Sequence, residues 1–265
     1  MNHRPRKRFG QNFLHDAHII KQIVDAIDPR SGEHFVEIGP GRGALTLPLL
    51  EHDVELHAVE IDRDLAARWQ RHAQTRPGFH VHCADALKIA PQDIYPDGTR
   101  FRLFGNLPYN VSTPLLFRFV AWREHLQDLH LMLQKEVVDR MCAGPGNRTY
   151  GRLTVMLAPH FEIENLLDVP ASAFTPAPKV DSAFVRLLPH AAPPFAVDDM
   201  QSYADVVAAA FSMRRKTLRN GLRALLDIDQ IKGCGIDPGV RAETLGPAVF
   251  AQLANALSQR RRQIR

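Results

Sequence analysis

The sequence has no apolar stretch approaching the roughly 20 residues that a membrane-spanning helix requires, so no membrane partner is expected. Cysteine is scarce. Cys83, Cys142 and Cys234 lie far apart and form no CxxC pair, which fits a reducing compartment better than a disulfide framework. The basic opening MNHRPRKRFG runs into polar QN and only a brief FL; no secretory signal is read there, and a cytoplasmic location is expected. HExxH, GxSxG and GxxxxGK[ST] are all missing, so the commonest zinc-hydrolase, serine-hydrolase and P-loop patterns do not apply. In HVHC, strand alternation turns His80 and His82 to one face and Cys83 to the other. That segment is a poor metal site, and no metal is expected.

What is present suffices for a substantial fold. With 265 residues, 45% of them hydrophobic, the chain can bury a sizeable core. Its net charge of +4 is unevenly spread: residues 1–8 carry four Lys/Arg, 211–223 carry five and 259–265 carry four, all without an acid. The rest holds 20 bases against 29 acids. Three purely basic patches on an otherwise acidic chain point to a polyanion met at chosen places.

Strand-like runs occur at HFVEIG (34–39), ELHAVEID (55–62), FHVHCADA (79–86), RFRLFGN (100–106) and LHLMLQ (129–134), with helix-like segments between them. This alternation predicts an α/β fold with a mostly parallel sheet. FEIENLLDVP and KVDSAFVRLLP add two more strands, making seven. Asp16 is placed to cap a helix carrying Ile19, Ile20, Ile23, Val24 and Ile27, expected on the sheet edge. PHAAPPFAVDD (189–199), with three prolines, reads as a linker. The expected domains are therefore 1–188 and a small all-α domain at 200–265. In the latter, SYADVVAAAFSMRRKTLRNGLRALL reads as helix, with Arg215, Arg219 and Arg223 recurring on one face.

VEIGPGRGALT places Glu37, Gly39, Gly41 and Gly43 directly after a strand and at the opening of a helix. Glycines there let a ligand lie against the backbone turn. Glu60, 21 residues after Gly39, can accept hydrogen bonds from both hydroxyls of a ribose, and Asp85 in CADAL from an adenine amine. These features suit NAD as well as another adenosine-bearing cofactor.

FGNLPYN (104–110) is more particular. The exocyclic amine of adenine is a weak nucleophile because its lone pair is delocalised into the ring. The side-chain oxygen of Asn106 and the backbone carbonyl of Leu107 can accept its two hydrogens and turn the lone pair toward an electrophilic methyl group. Pro108 holds Leu107 extended. Tyr109 offers a ring to a base drawn out of its stack.

Together, ExGxGxG, the acid after the second strand, CADAL and NLPY resemble the class I S-adenosylmethionine-dependent methyltransferases. RKRFGQNFL, GNLPYNVSTPL, MLQKEVVDRM, FTPAPKVDSAFVRL and FSMRRKTLRNGL are similar to the bacterial small-subunit ribosomal RNA adenine dimethyltransferases of the KsgA type, over nearly the whole chain. The resemblance implies a Rossmann-like domain with an N-terminal lid formed by Asn12 and Leu14. It implies that Gly39 lies under the methionine part of S-adenosylmethionine, Glu60 at the ribose, Asp85 at the adenine and Asn106 at the target amine. Phe174 would face the flipped base opposite Tyr109, the other reading being a core phenylalanine before a proline-rich turn. Lys179, Arg214, Arg215, Lys216, Arg219 and Arg223 would meet RNA phosphates. The implied reaction dimethylates two adjacent adenines in a 3'-terminal hairpin loop of 16S rRNA within an immature small subunit, with the enzyme acting as a monomer.

The rival readings are weaker. A NAD-dependent oxidoreductase leaves NLPY, FTPAPK and the basic helix unexplained. Glutamine and DNA adenine methyltransferases share N-x-P-Y but do not require the basic C-terminal helices. A large-subunit rRNA adenine methyltransferase is the runner-up, and a ribosome-assembly factor acting by binding alone comes from a different class.

Overall fold

The computed structural model describes residues 11–213 and 216–264. Their contacts divide the chain into two units, Met1–Val138 with Ile163–Pro189, and Asp139–Glu162 with His190–Arg265.

A two-residue strand β1 (Phe13–Leu14) and α1 (Ala17–Ile27) come first. Strands and helices then alternate through β2 (His34–Ile38), α2 (Thr46–Leu50), β3 (Glu55–Glu60), α3 (Arg63–Ala73), β4 (Phe79–Cys83), α4 (Pro91–Ile94), β5 (Phe101–Asn106), α5 (Ser112–Trp122) and β6 (Leu126–Gln134). There follow α6 (Lys135–Met141), α7 (Arg152–Leu157), β7 (Phe161–Val169), β8 (Phe174–Thr175) and β9 (Ser182–Pro189). The seven-stranded sheet runs β4-β3-β2-β5-β6-β9-β7. Strands β2 to β6 pair in parallel and β9 is antiparallel to β6, so the sheet is mostly parallel, as the alternation predicts.

Helix α1 shows how the sequence builds this unit. The Asp16 carboxylate accepts from the amides of His18 and Ile19 at 2.9 and 3.1 Å, satisfying donors that the first turn leaves open. Ile19, Ile23, Val24 and Ile27 are buried, each stabilising by about 1.5–3 kcal/mol. They share a core with Phe35, Phe104, Met132 and Phe184, which belong to β2, β5, β6 and β9. The helix therefore packs against the middle of the sheet and not its edge. Buried Arg102 on β5 holds it there, donating to the carbonyl of Ile27 at 2.6 Å and to the Asp128 carboxylate at 3.1 Å. Between β2 and β5, Gly105 is required by space: a Cβ there would stand 2.5 Å from the Ile38 carbonyl oxygen.

The second unit contains α8 (Met200–Phe211), α9 (Leu218–Leu222), α10 (Ile228–Gly233) and α11 (Pro247–Ile264). Tyr203, Val206, Val207, Leu222, Phe250 and Leu253 form its core together with Tyr150, Val155 and Met156. Tyr150 donates to the Leu245 carbonyl at 2.7 Å and Tyr203 to the Val155 carbonyl at 2.9 Å. These contacts draw residues 139–162 into the unit of the C-terminal helices, whereas the proline-rich boundary in the sequence assigns them to the first domain.

The continuous helix expected across 202–226 is broken. Helix α8 ends at Phe211 and α9 begins at Leu218. Thr217 instead bridges Arg241 in antiparallel fashion, and the amides of Leu218 and Arg219 bond the carbonyls of Val240 and Pro238. Tertiary pairing thus outweighs helix propensity, and of the expected basic face only Arg219 lies within α9, with Arg223 at its C-cap. Arg214 and Arg215, like the basic cluster at 1–8 and Arg265, lie outside the described residues.

Candidate functional site

The chain order reverses between β2 and β5, the point in an open parallel sheet where ligands enter beyond the strands' carboxyl ends. A cavity of about 350 Å³ opens there, within the usual range for small-molecule sites. Its wall includes Asn12 and Leu14, Glu37, Gly39 and Gly41 after β2, Glu60 closing β3, Asp85 after β4, and Asn106, Leu107, Pro108 and Tyr109 after β5. Four strand ends thus bring the sequence-predicted cofactor and catalytic residues to one place, apart from Gly43 and Phe174.

The loop after β2 is shaped by backbone angles. Gly39, Gly41 and Gly43 have φ of 73°, 52° and 93°, the left-handed region that glycine enters without a Cβ penalty. Gly43 faces Trp69, whose ring would stand 2.5 Å from a Cβ, and the Trp69 indole donates to the Gly41 carbonyl at 3.0 Å. The following helix α2 has only five residues, so the loop itself, more than a long helix dipole, shapes this wall.

The acids differ in their surroundings. Glu37 is 2% exposed and accepts from the Thr46 hydroxyl at 2.7 Å; burial pushes its carboxyl up to about 8. Glu60 is also buried and raised for that reason, while the amides of Asp62 and Gly41 donate to its two oxygens at 2.9 and 3.3 Å. Each oxygen retains a lone pair for a ligand hydroxyl. Asp85 uses Oδ1 to accept from the Leu87 amide at 3.0 Å, leaving Oδ2 without a partner among the described residues.

Asn106 donates from Nδ2 to the Asn12 carbonyl at 3.0 Å. Its Oδ1 has no partner among the described residues, and neither does the Leu107 carbonyl. Two acceptors without donors therefore stand side by side at the cavity. Tyr109 is fixed by a 2.7 Å hydrogen bond between its hydroxyl and Ser182 Oγ, and burial raises its phenol above the usual value.

Phe174 is placed otherwise. It is 2% exposed and packs in the core beside Leu14, Val169 and Ala173, away from the cavity wall. Strand β8, which carries it, pairs antiparallel with β1, Leu14 opposite Phe174. Lys179, Lys216, Arg219 and Arg223 are exposed and have no carboxylate partner among the described residues. Thr46, Trp69 and Ser182 escaped sequence reasoning: each acts through a residue far along the chain or through a hydroxyl that no local pattern marks. Arg42 stacks over Phe13, 4.5 Å from the ring centroid, another contact without a sequence signal.

Comparison with known proteins shows the family of the chain. The family model described as ribosomal RNA adenine dimethylase matches residues 2–259. A ribosomal RNA small subunit methyltransferase A from Yersinia pestis is 49% identical over 257 residues, covering 97% of this chain and 94% of that one. Its namesake from Escherichia fergusonii is 47% identical over 258 residues, with 97% and 94% covered. Among solved structures, the 23S rRNA methyltransferase ErmE matches with a TM-score of 0.73 and 26% identity over 94% of this chain and 100% of that one. A dimethyladenosine transferase from Plasmodium falciparum shares the fold at a TM-score of 0.80, 24% identity and 93% and 98% coverage.

Proposed function

The chain belongs to the ribosomal RNA adenine dimethylase family, and we propose that it uses S-adenosylmethionine to dimethylate the exocyclic amines of two adjacent adenines in a 3'-terminal hairpin loop of 16S rRNA. It is an rRNA adenine dimethyltransferase by family and by its relatives. The finer reading is supported by the side-by-side acceptors Asn106 Oδ1 and Leu107 C=O.

The cavity fits the donor on its own chemistry. Glu60 and Asp85 supply acceptors for a ribose and an adenine amine, and the left-handed glycine loop admits close backbone approach. When bound, S-adenosylmethionine supplies a methyl group already activated by a sulfonium, so placement and electrostatics suffice. Asn106 Oδ1 and the Leu107 carbonyl accept the two amine hydrogens and point the nitrogen lone pair along the line of attack. The bond from Nδ2 to Asn12 fixes which side of the amide faces the substrate. Tyr109, held by Ser182, offers its ring to a base taken out of its stack. Exposed Lys216, Arg219 and Arg223 meet the phosphates of a folded RNA whose target is unpaired. The reading extends to an immature small subunit as substrate, a monomeric enzyme and a cytoplasmic location; no helix of the described residues is long and apolar enough to cross a membrane.

ErmE shares the fold, but relatives at 47–49% identity carry the small-subunit name, which favours the small subunit over the large. Incubation with labelled donor and undermodified small subunits, followed by mapping of the modified nucleotides, tests this. Label in two adjacent adenines of small-subunit RNA supports the reading; no label in those subunits, with label entering undermodified large subunits in a parallel incubation, overturns it.

A further inference from the structure

Across the first three strands of the sheet, one face collects ionisable groups unrelated to methyl transfer. Parallel pairing sets His34 opposite Glu55, and His57 opposite His80. Side chains at matched positions of neighbouring strands share a face, as do positions two apart. His82, two residues beyond His80, joins them. The cluster begins at Glu55, five residues before Glu60 on β3, so it stands roughly 16 Å along the strand from the cavity rim.

We propose that Glu55, His57 and His80 bind one divalent transition-metal ion, zinc in the first instance, clamping the edge strand β4 to β3. Oxygen and nitrogen ligand atoms of these three residues all lie within 4.8 Å of one another. His57 Nε2 stands 3.2 Å from Glu55 Oε1, close to the roughly 3.3 Å that separates ligand atoms in a tetrahedral zinc site. The longer separations close by turning the exposed His80 side chain. Two imidazoles and one carboxylate, with a fourth position open to water, form a donor set that suits zinc.

Supporting contacts surround these ligands. His57 Nδ1 lies 2.8 Å from His82 Nε2; donation from Nδ1 to that nitrogen leaves the Nε2 lone pair facing Glu55, an arrangement that calls for a cation between them. On the other side, His34 Nδ1 approaches Glu55 Oε2 at 3.2 Å, yet it is buried without a hydrogen bond of acceptable geometry. Tyr95 packs its ring 4.4 Å from that of His57 and shuts water out from behind. The competing arrangement needs no ion: the other His57 tautomer donates from Nε2 to Glu55 and accepts from His82.

The test uses the full chain, untagged and stripped with a chelator. ZnCl2 is titrated calorimetrically, and CoCl2 is followed by visible absorption. Expected are one ion per chain, the intense d–d bands of four-coordinate cobalt and a higher Tm with zinc. His80→Ala and Glu55→Gln should each weaken binding by about tenfold or more, with methyl transfer unchanged. Circular dichroism of His80→Ala, an exposed position, checks that folding is retained. Equal affinity and equal Tm gain in both variants overturn the proposal. So does the lack of saturable binding, or binding that survives these changes and is lost on Cys83→Ser.

Discussion

Asn106 and Asn12 are joined by a 3.0 Å hydrogen bond from a side-chain amide to a backbone carbonyl. It links the rim of β5 to the segment over the cavity and sets the orientation of Asn106 before any substrate arrives. Replacing Asn106 with alanine should lower single-turnover methyl transfer by about 10²–10³-fold, the usual effect of removing one preorganised polar group. Binding of the small subunit should persist. Loss of binding in parallel with transfer would assign Asn106 to docking instead.

The Tyr109–Ser182 hydrogen bond predicts coupled behaviour. Tyr109→Phe and Ser182→Ala should each slow transfer by about fivefold, the equivalent of a hydrogen bond worth about 1 kcal/mol. The double variant should be no slower than either single one. Multiplied losses in kcat would show that the two side chains act separately.

Glu37 makes a pH prediction. In the folded protein burial pushes its carboxyl up to about 8, whereas in the unfolded chain it ionises near 4.5. Between these values the folded state holds the extra proton. This group therefore lowers stability as pH rises, by about 1.4 kcal/mol per unit at most, and Glu37→Gln should remove that slope in denaturant titrations. A cationic sulfonium favours the ionised carboxylate, so S-adenosylmethionine should release a proton on binding near pH 7. The neutral product S-adenosylhomocysteine should release less; calorimetry in buffers of different ionisation enthalpy measures the difference.

Gly43→Ala combines a left-handed φ with a Cβ 2.5 Å from the Trp69 ring. The backbone strain alone costs about 1–2 kcal/mol, and a packed indole yields less easily than a flexible chain end. Gly39→Ala, with nothing within 4 Å of its Cβ, should bear only the backbone part. A thermal melt should therefore rank Gly43→Ala below Gly39→Ala, with both below the parent.

Charge reversal at Lys216, Arg219 and Arg223 should weaken RNA binding and flatten its dependence on salt, by about 0.7–0.9 in log–log slope for each phosphate no longer neutralised. Unchanged affinity across salt concentrations would leave these as solvated side chains.

Much of the fold is legible in the sequence because buried parallel strands are short apolar runs with acids or amides at their ends. The glycine loop and NLPY are local, and strand topology alone brings them together. Contacts between distant segments carry no such signal. The break between α8 and α9 comes from Thr217 pairing with Arg241, against good helix propensity. Phe174 reads equally as a base platform or a core residue until its pairing with Leu14 is seen. HVHC is a poor metal site taken alone, and only the register of β3 brings Glu55 and His57 beside His80.

The two-residue ribbon of β1 and β8 joins Phe13–Leu14 to Phe174–Thr175, segments about 160 positions apart in the sequence. Phe13 and Leu14 line the cavity whereas Phe174 and Thr175 do not, so the ribbon ties one wall of the cavity, by backbone hydrogen bonds, to a segment that stands outside it.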